Sequence, residues 1–284
     1  MVNSNSRRNK ILLVNHSGSG STRIVGSVIA ARLESRNDVD IAQIRPGFDY
    51  GMISNYNLVI IGFPTYYFRP SLSAMEFVEN LPRVNNKGFF LYTTYGLYSG
   101  NCIRIFSNAL KRKNGCIIGY VQIRGPASDG ILLFPSLKLF SRYEKKAGKK
   151  INKAANDIER YFKHRGVKEL IPSMRWYSPF TRLFKRHLDR IDYSQYRLNL
   201  KVLEERCTNC NICVKNCIRG SWLKGEKYPS INTDNCEFCL KCVHNCPEKA
   251  IIFNDSMIDR PRLDKKYYRE QKDILSKKTI MENL

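Results

Sequence analysis

The sequence has no apolar run long enough to cross a bilayer. Its longest apolar stretches, near 58–63 and 131–134, are far shorter than the roughly 18 residues that a membrane-spanning helix needs. A secretory signal is not found either, because the apolar run at 11–14, which follows basic residues, is too short for one. We therefore expect a cytoplasmic protein without a transmembrane segment.

Acidic residues are also few. The chain has 25 Asp and Glu against 48 Lys and Arg, which gives a formal net charge of +23. A protein so basic is expected to meet an acidic redox partner, such as a ferredoxin or an oxidoreductase, at salt-dependent rates. The alternative of a nucleic-acid-binding protein finds no recognised motif in support. A segment at 166–200 interleaves aromatic residues with cations, and we expect it to be a basic linker that docks between domains.

The ten cysteines are better explained by metal or redox chemistry than by disulfides if the protein is not exported. Eight of them form two copies of the spacing Cys-x2-Cys-x2-Cys-x3-Cys, and proline follows the second copy. These eight are Cys207, Cys210, Cys213, Cys217, Cys236, Cys239, Cys242 and Cys246. The pattern is typical of two 4Fe-4S clusters, in which the fourth cysteine of each motif ligates the other cluster.

On that pattern, one cluster takes Cys207, Cys210, Cys213 and Cys246, and the other takes Cys236, Cys239, Cys242 and Cys217. The alternative is a pair of four-thiolate zinc sites, but zinc modules usually pair Cys-x2-Cys knuckles across a longer loop. Over about 201–254 the chain resembles the bacterial two-cluster ferredoxins, except that Ile218 stands where that family usually has proline. The remaining Cys102 and Cys116 have no partner at ligand spacing and are expected to be ordinary buried thiols.

Residues 10–165 alternate short apolar runs with helical stretches, which predicts an α/β fold with a parallel sheet covered on both faces. The predicted strands are 11–15, 39–44, 58–62, 88–93 and 116–123. The predicted helices are 21–35, 72–81, 102–113 and 143–164. Ligands of such sheets bind beyond the carboxyl ends of the strands, so the loops after the first, third and fourth strands are the expected binding region.

The loop after the first strand is rich in serine and glycine and leads into a helix, as phosphate-binding loops do. It lacks the lysine of a Walker A motif and the spacing of a dinucleotide fingerprint, and an ordinary tight turn is the alternative. The loops after the third and fourth strands are aromatic and rich in glycine, proline and threonine. Together the three loops resemble the FMN site of flavodoxins, and the whole chain resembles the flavodoxin–ferredoxin fusion family of anaerobes.

The resemblance implies a flavodoxin-like five-stranded parallel sheet followed by a small α+β two-cluster ferredoxin domain. It also implies FMN contacts, with Tyr66 and Tyr95 flanking the flavin ring. The implied FMN-binding residues are Ser17, Gly18, Ser19, Gly20, Ser21, Thr22, Pro64, Thr65, Tyr66, Thr94, Tyr95 and Gly96.

We thus expect four segments: an FMN-binding domain at 1–165, the linker at 166–200, a ferredoxin domain at 201–258 and a charged tail at 259–284. We expect the tail to be a frayed helix or disordered. The predicted function is electron transfer that couples two 4Fe-4S clusters to FMN. The alternative is a flavin-dependent reductase of a small organic substrate that the clusters supply with electrons.

Overall fold

The computed structural model describes residues 8–164 and 199–281, and the first part is built around one sheet. Its strands are β1 (Asn9–Asn15), β2 (Asn37–Gln43), β3 (Leu58–Tyr66), β4 (Arg69–Pro70), β5 (Gly88–Tyr95) and β6 (Cys116–Arg124). The inner strands are buried on both faces, so their sequences are apolar throughout rather than alternating. Residues 11–14 and 58–61, for example, are fully buried.

The main strands lie in the order β2-β1-β3-β5-β6 and are all parallel. The short β4 only pairs antiparallel with the end of β3. If β4 is set aside, this is the 2-1-3-4-5 order of the flavodoxin-like fold, whose ligands bind where the strand order reverses. That reversal lies between β1 and β3, directly beside the glycine- and serine-rich loop.

Helices cover both faces of this sheet. The helices α1 (Ser21–Leu33) and α5 (Ala147–Lys163) bury their apolar sides in the core on one face. On the other face, α2 (Leu72–Glu79) and α3 (Cys102–Arg112) enclose a second apolar cluster, and the one-turn α4 (Gly130–Leu133) follows β6. The five predicted strands and four predicted helices are confirmed, with boundaries that differ by a few residues.

The second part is small and mixed. Two antiparallel pairs of two-residue strands are formed by β7 (Lys201–Val202) with β10 (Ile251–Ile252) and by β8 (Trp222–Leu223) with β9 (Ser230–Ile231). Short helices at Ile212–Asn216 and Lys241–Asn245 lie within the two cysteine motifs, and each contains the third cysteine of its motif. Its buried residues join the α1–α5 side of the core, so the two parts share one continuous apolar cluster.

The charged tail differs from its expected frayed or disordered state. Residues Lys265–Met281 form a helix, called here the last helix, that packs against α1 and α5. Tyr268, Leu275 and Thr279 are buried on the inner side of this helix. They are spaced seven and four residues apart, which places them on one helical face. Because the outer face of this helix is highly charged, the composition of the segment does not reveal its buried face.

The predicted linker at 166–200 lies outside the described residues, apart from its last two positions. No described helix is both long and apolar enough to span a membrane.

Candidate functional site

The glycine- and serine-rich loop lies between β1 and α1, at the carboxyl end of the sheet. Gly20 is the N-cap of α1 and has a φ of 147°, a conformation that glycine adopts without strain. Thr22 Oγ1 lies 2.7 Å from Thr94 Oγ1 at the end of β5, and Ser21 Oγ donates to the carbonyl oxygen of Pro126 at 3.0 Å. These bonds tie the loop to two neighbouring strand ends.

The last helix also contributes to this loop. The Tyr268 hydroxyl lies 2.8 Å from Ser19 Oγ and 3.1 Å from Ser21 Oγ, and Ser128 Oγ lies 2.9 Å from Ser19 Oγ. Burial raises the pKa of Tyr268 to about 12, so its hydroxyl stays protonated and can donate. The sequence analysis missed Ser128 and Tyr268, which come from segments that no motif connects to the loop.

A cavity of about 100 Å³, the loop cavity, brings together all twelve residues that the sequence analysis assigned to FMN. It is also lined by Tyr67, by residues 126–129 and by Phe238 and Leu240, none of which were predicted. Phe238 and Leu240 stand on either side of Cys239. The second cysteine motif therefore closes one side of the loop cavity.

Tyr66 lies between the two parts of the chain. Its hydroxyl oxygen bonds with the backbone of Gly18, and burial raises its pKa well above the usual range, with further contributions from Cys239 and Glu237. A Cβ atom on Gly18 would lie 2.2 Å from the Tyr66 hydroxyl and 2.8 Å from the carbonyl oxygen of Cys239. Glycine at position 18 thus allows the cysteine motif to approach the loop.

A second cavity of about 440 Å³, the aromatic cavity, continues from the first and shares six lining residues with it, among them Thr65, Gly96 and Phe238. Its aromatic side chains include Phe68 and Tyr98, with ring centroids 5.9 Å apart. Phe238 and Phe253 form an edge-to-face pair on its other side, with centroids 5.0 Å apart. Its size and apolar walls are suited to a planar organic ring.

The two cysteine motifs have the same local structure. Equivalent cysteines are 29 positions apart, and a five-residue helix begins one residue before the third cysteine of each motif. Asn209 and Asn211 in the first motif have φ values of 50° and 57°, and Phe238 and Leu240 in the second have 51° and 58°. Four left-handed residues therefore shape two equivalent loops.

The first predicted set of thiols surrounds one small cavity, the thiol cavity. Cys207, Cys210, Cys213 and Cys246 all line it, so a cysteine of the second motif completes the set begun by the first. The pKa of Cys213 is raised to about 11, mainly by burial, with smaller contributions from nearby Cys246 and Cys210. The Ala250 amide donates to Cys246 Sγ at 3.2 Å, a bond that favours a thiolate.

The second set also approaches one point. Burial raises the pKa of Cys242 to about 12, and both Cys236 and Cys217 lie near enough to contribute. The pKa of Cys239 is raised well above its usual range, by burial first, then by Glu237 and Cys242, with a smaller contribution from Cys236. Backbone amides donate to Cys217 Sγ from Ser221 at 3.3 Å and to Cys236 Sγ from Phe238 at 3.4 Å.

Among the described residues, no three His, Cys, Asp or Glu side chains form a group that could hold a metal ion. Four thiolates around a zinc ion would have their sulfur atoms about 3.8 Å apart, given Zn–S bonds of about 2.3 Å.

Cys102 lies apart from both sets, where burial raises its pKa to about 12. Cys102 belongs to the apolar cluster between α3 and the sheet, as an ordinary buried thiol does.

A buried acid and histidine join the second motif to the sheet. Nε2 of His16, which follows β1, lies 2.7 Å from Oε1 of Glu237, and both side chains are at most 2% exposed. Glu237 Oε2 also accepts from the Ser73 amide at 3.0 Å and the Ser73 hydroxyl at 3.1 Å. Although burial alone would raise the pKa of Glu237, His16 and these bonds lower it, so the carboxylate remains charged.

A second histidine fixes the same motif from the other side. His244 Nδ1 accepts from the Leu263 amide at 3.1 Å, so Nε2 carries the proton and donates to the Ser128 carbonyl oxygen at 2.9 Å. Burial lowers the pKa of His244 to about 3, and the ring is therefore neutral. An exposed Arg219–Glu76 ion pair adds another link between the parts.

Comparison with known proteins finds no matching family model and no matching curated protein. Solved flavodoxin structures do match. A flavodoxin from the domain Archaea is 17% identical, with 55% of this chain and 99% of that chain covered and a TM-score of 0.41. Oxidised flavodoxin 2 from Bacillus cereus is 19% identical, with 53% and 99% covered and a TM-score of 0.41. Two-electron reduced flavodoxin from Megasphaera elsdenii is 19% identical, with 39% and 84% covered and a TM-score of 0.36.

Proposed function

We propose that this protein is an electron-transfer iron-sulfur flavoprotein, a flavodoxin–ferredoxin fusion that binds one FMN and two 4Fe-4S clusters. The α/β unit at 1–165 would bind FMN, and the unit at 201–258 would bind the clusters through the crossed cysteine sets. The observation that carries the proposal is the position of Phe238 and Leu240. These neighbours of Cys239 line the same cavity as all twelve expected FMN residues.

The loop and aromatic cavities together fit the parts of FMN. The loop cavity offers hydroxyl groups and the N-terminus of α1 for the phosphate. The aromatic cavity of about 440 Å³ is suited to the flavin ring, which is too large for the loop cavity of about 100 Å³. Because the Tyr66 hydroxyl bonds with the Gly18 backbone, we expect Tyr66 to yield that contact when the phosphate binds.

The thiol sets fit two clusters for three reasons. Their crossed membership follows the ligation pattern of two-cluster ferredoxins, and four of the thiols line one cavity. Backbone amides donate to at least three of the sulfur atoms. The sequence also holds both motifs with the full ligand spacing, which a pair of zinc sites does not require.

Bound FMN would supply chemistry in steps of one or two electrons, whereas each cluster exchanges one. The residues of this chain would hold the second thiol set beside the loop cavity and give the aromatic cavity an apolar wall of Phe238 and Phe253. The formal charge of +23 favours an acidic redox partner, whose association should weaken as salt rises.

A reductase of a small organic molecule is the second candidate, since the rim of the aromatic cavity is open and apolar. Leu97 is 64% exposed, Phe134 is 54% exposed and Leu133 is 41% exposed, and all three line the cavity. Such a rim could admit a substrate to the flavin. Oxidation of the chemically reduced protein by small quinones or nitroaromatics at a saturating rate would favour this reading over a pure carrier.

The first test is to purify the protein without oxygen and to quantify iron, sulfide and flavin on one sample. We expect about eight iron and eight sulfide per chain with one FMN. Cys246→Ser should lose about half of the iron, because Cys246 is the fourth member of the first thiol set. Cys102→Ser should keep all of the iron. Zinc in place of iron, or a full iron content in Cys246→Ser, would contradict the cluster assignment.

A further inference from the structure

A large cleft borders the glycine- and serine-rich loop and shares no lining residue with the aromatic cavity. This basic cleft has a volume of about 760 Å³ and is formed by residues 15–20, by both cysteine motifs and by the start of the last helix. Its volume falls within the range of pockets for small ligands. Apart from Ser17, Gly18, Ser19 and Gly20, its lining residues are distinct from those of the loop cavity.

The charge of this cleft is strongly one-sided. Six cations line it, against the single carboxylate of Asp264, and they come from four separate segments. None of the six pairs with a carboxylate within 4.0 Å in the part of the chain that the structure describes. The cations are Arg23, Lys241, Lys249, Arg262, Lys265 and Lys266. Charges gathered and left unneutralised in a cleft attract anions.

Arg262 is the most informative of these cations. All three nitrogen atoms of its guanidinium are buried and have no hydrogen-bond partner among residues 8–164 and 199–281. Burial lowers the pKa of Arg262, which means that its charge is less well stabilised here than in water. A planar guanidinium pairs in bidentate fashion with phosphate or carboxylate oxygens, so an anion would remove this cost.

Asn15 contributes a buried hydrogen-bond acceptor to the cleft, whereas Arg262 contributes buried donors. Its side chain is 2% exposed, and its buried Oδ1 atom has no hydrogen-bond partner in the described part of the chain. It lines the same cleft, at the end of β1. A carbonyl oxygen needs a donor, which a fully ionised phosphate monoester group does not offer but a hydroxyl group does.

We propose that the basic cleft binds a small molecule that carries both a phosphate group and hydroxyl groups. Arg262 binds the phosphate, the surrounding lysines attract it, and Asn15 accepts from a hydroxyl. The cleft shares no lining residue with the aromatic cavity, where the flavin ring would lie, and meets the loop cavity only at residues 17–20. The ligand therefore binds beside the FMN phosphate, in addition to FMN. Cys246 of the first thiol set also lines the cleft, so the ligand would lie next to that set.

The test uses the full-length protein, purified without oxygen, and isothermal titration with ribose 5-phosphate in low-salt buffer, with FMN present in excess. We expect Arg262→Gln to weaken binding at least tenfold. The matched control is Arg83→Gln, which removes the same charge from an exposed position outside the cleft and should leave binding unchanged. Asn15→Ala should weaken ribose 5-phosphate several-fold but leave the binding of sulfate, which carries no hydroxyl group at neutral pH, unchanged.

The iron content of each variant is measured on the same samples. If Arg262→Gln loses iron, Lys265→Gln at the exposed start of the last helix replaces it and should weaken binding about threefold. Three results would overturn the proposal: no binding at millimolar ribose 5-phosphate, equal binding by wild type and the cleft variants, or loss of binding when FMN is added. A wild type that lacks FMN or iron but binds ribose 5-phosphate through Arg262 would refute the proposed function and leave this inference standing.

Discussion

The buried contact between His16 and Glu237 gives a prediction with a matched control. Both side chains are at most 2% exposed, and the Glu237 carboxylate also accepts two bonds from Ser73 at the start of α2. Leaving a buried hydrogen-bonding group unsatisfied costs about 1–3 kcal/mol, and more where the group is charged. Because glutamine can still accept from Ser73 but loses the charge that faces His16, we expect Glu237→Gln to cost about 3 kcal/mol.

The control is Glu76→Gln, which removes the other carboxylate that joins α2 to the unit at 201–258. Glu76 is 53% exposed in its pair with Arg219, and exposed pairs contribute at most about 1 kcal/mol. At about 2–4 °C per kcal/mol, the melting temperature should fall by about 6–12 °C for Glu237→Gln and by less than about 4 °C for Glu76→Gln.

Thermal unfolding followed by circular dichroism measures both variants, on samples with equal iron content because Glu237 lies between Cys236 and Cys239. The double variant His16→Gln with Glu237→Gln should lose less than the sum of the single variants, by more than about 1 kcal/mol, if the two side chains stabilise each other. Equal shifts for Glu237→Gln and Glu76→Gln, or strict additivity with His16→Gln, would refute the reasoning.

Three further predictions concern tyrosines. Tyr92→Phe should keep or raise the melting temperature, because the buried Tyr92 hydroxyl has no partner in the described part of the chain and its removal eliminates a desolvation cost. Tyr268→Phe should lower stability by about 1 kcal/mol in urea unfolding, because Ser19 and Ser21 lose a shared partner, and an unchanged stability would contradict that contribution. Tyr66→Phe should lower the FMN dissociation constant measured by flavin fluorescence, because it frees the Gly18 backbone for the phosphate, and a weaker complex would contradict that role.

Much of the α/β unit could be predicted because its sequence pattern is local. Buried parallel strands are apolar along their whole length, so β1, β3 and β5 can be recognised without knowledge of their neighbours. The loops at their carboxyl ends must then lie at one edge of the sheet. For this reason all twelve residues expected at an FMN site line a single cavity, although they come from three separate loops.

The contribution of the rest of the chain to that cavity could not be predicted in the same way. Ser128 and Tyr268 reach the glycine- and serine-rich loop from distant segments, and neither stands in a motif. Tyr268, Leu275 and Thr279 do mark one face of a helix, but 17 residues with so many charges also fit a solvated helix. Only the packing of that face against α1 and α5 distinguishes the two possibilities.

The two cysteine motifs share one spacing pattern, but different residues occupy their left-handed positions, and the spacing alone does not predict this difference. Asparagine tolerates the left-handed conformation, and the first motif has Asn209 and Asn211 at its two left-handed positions. The second motif has Phe238 and Leu240 there, at a strain cost of order 1–3 kcal/mol each. Both of these side chains are less than 9% exposed and line the loop cavity. The same backbone therefore serves two purposes: the first motif adopts its shape at little cost, whereas the second bears the strain in order to place two apolar side chains between its thiols and the cavity.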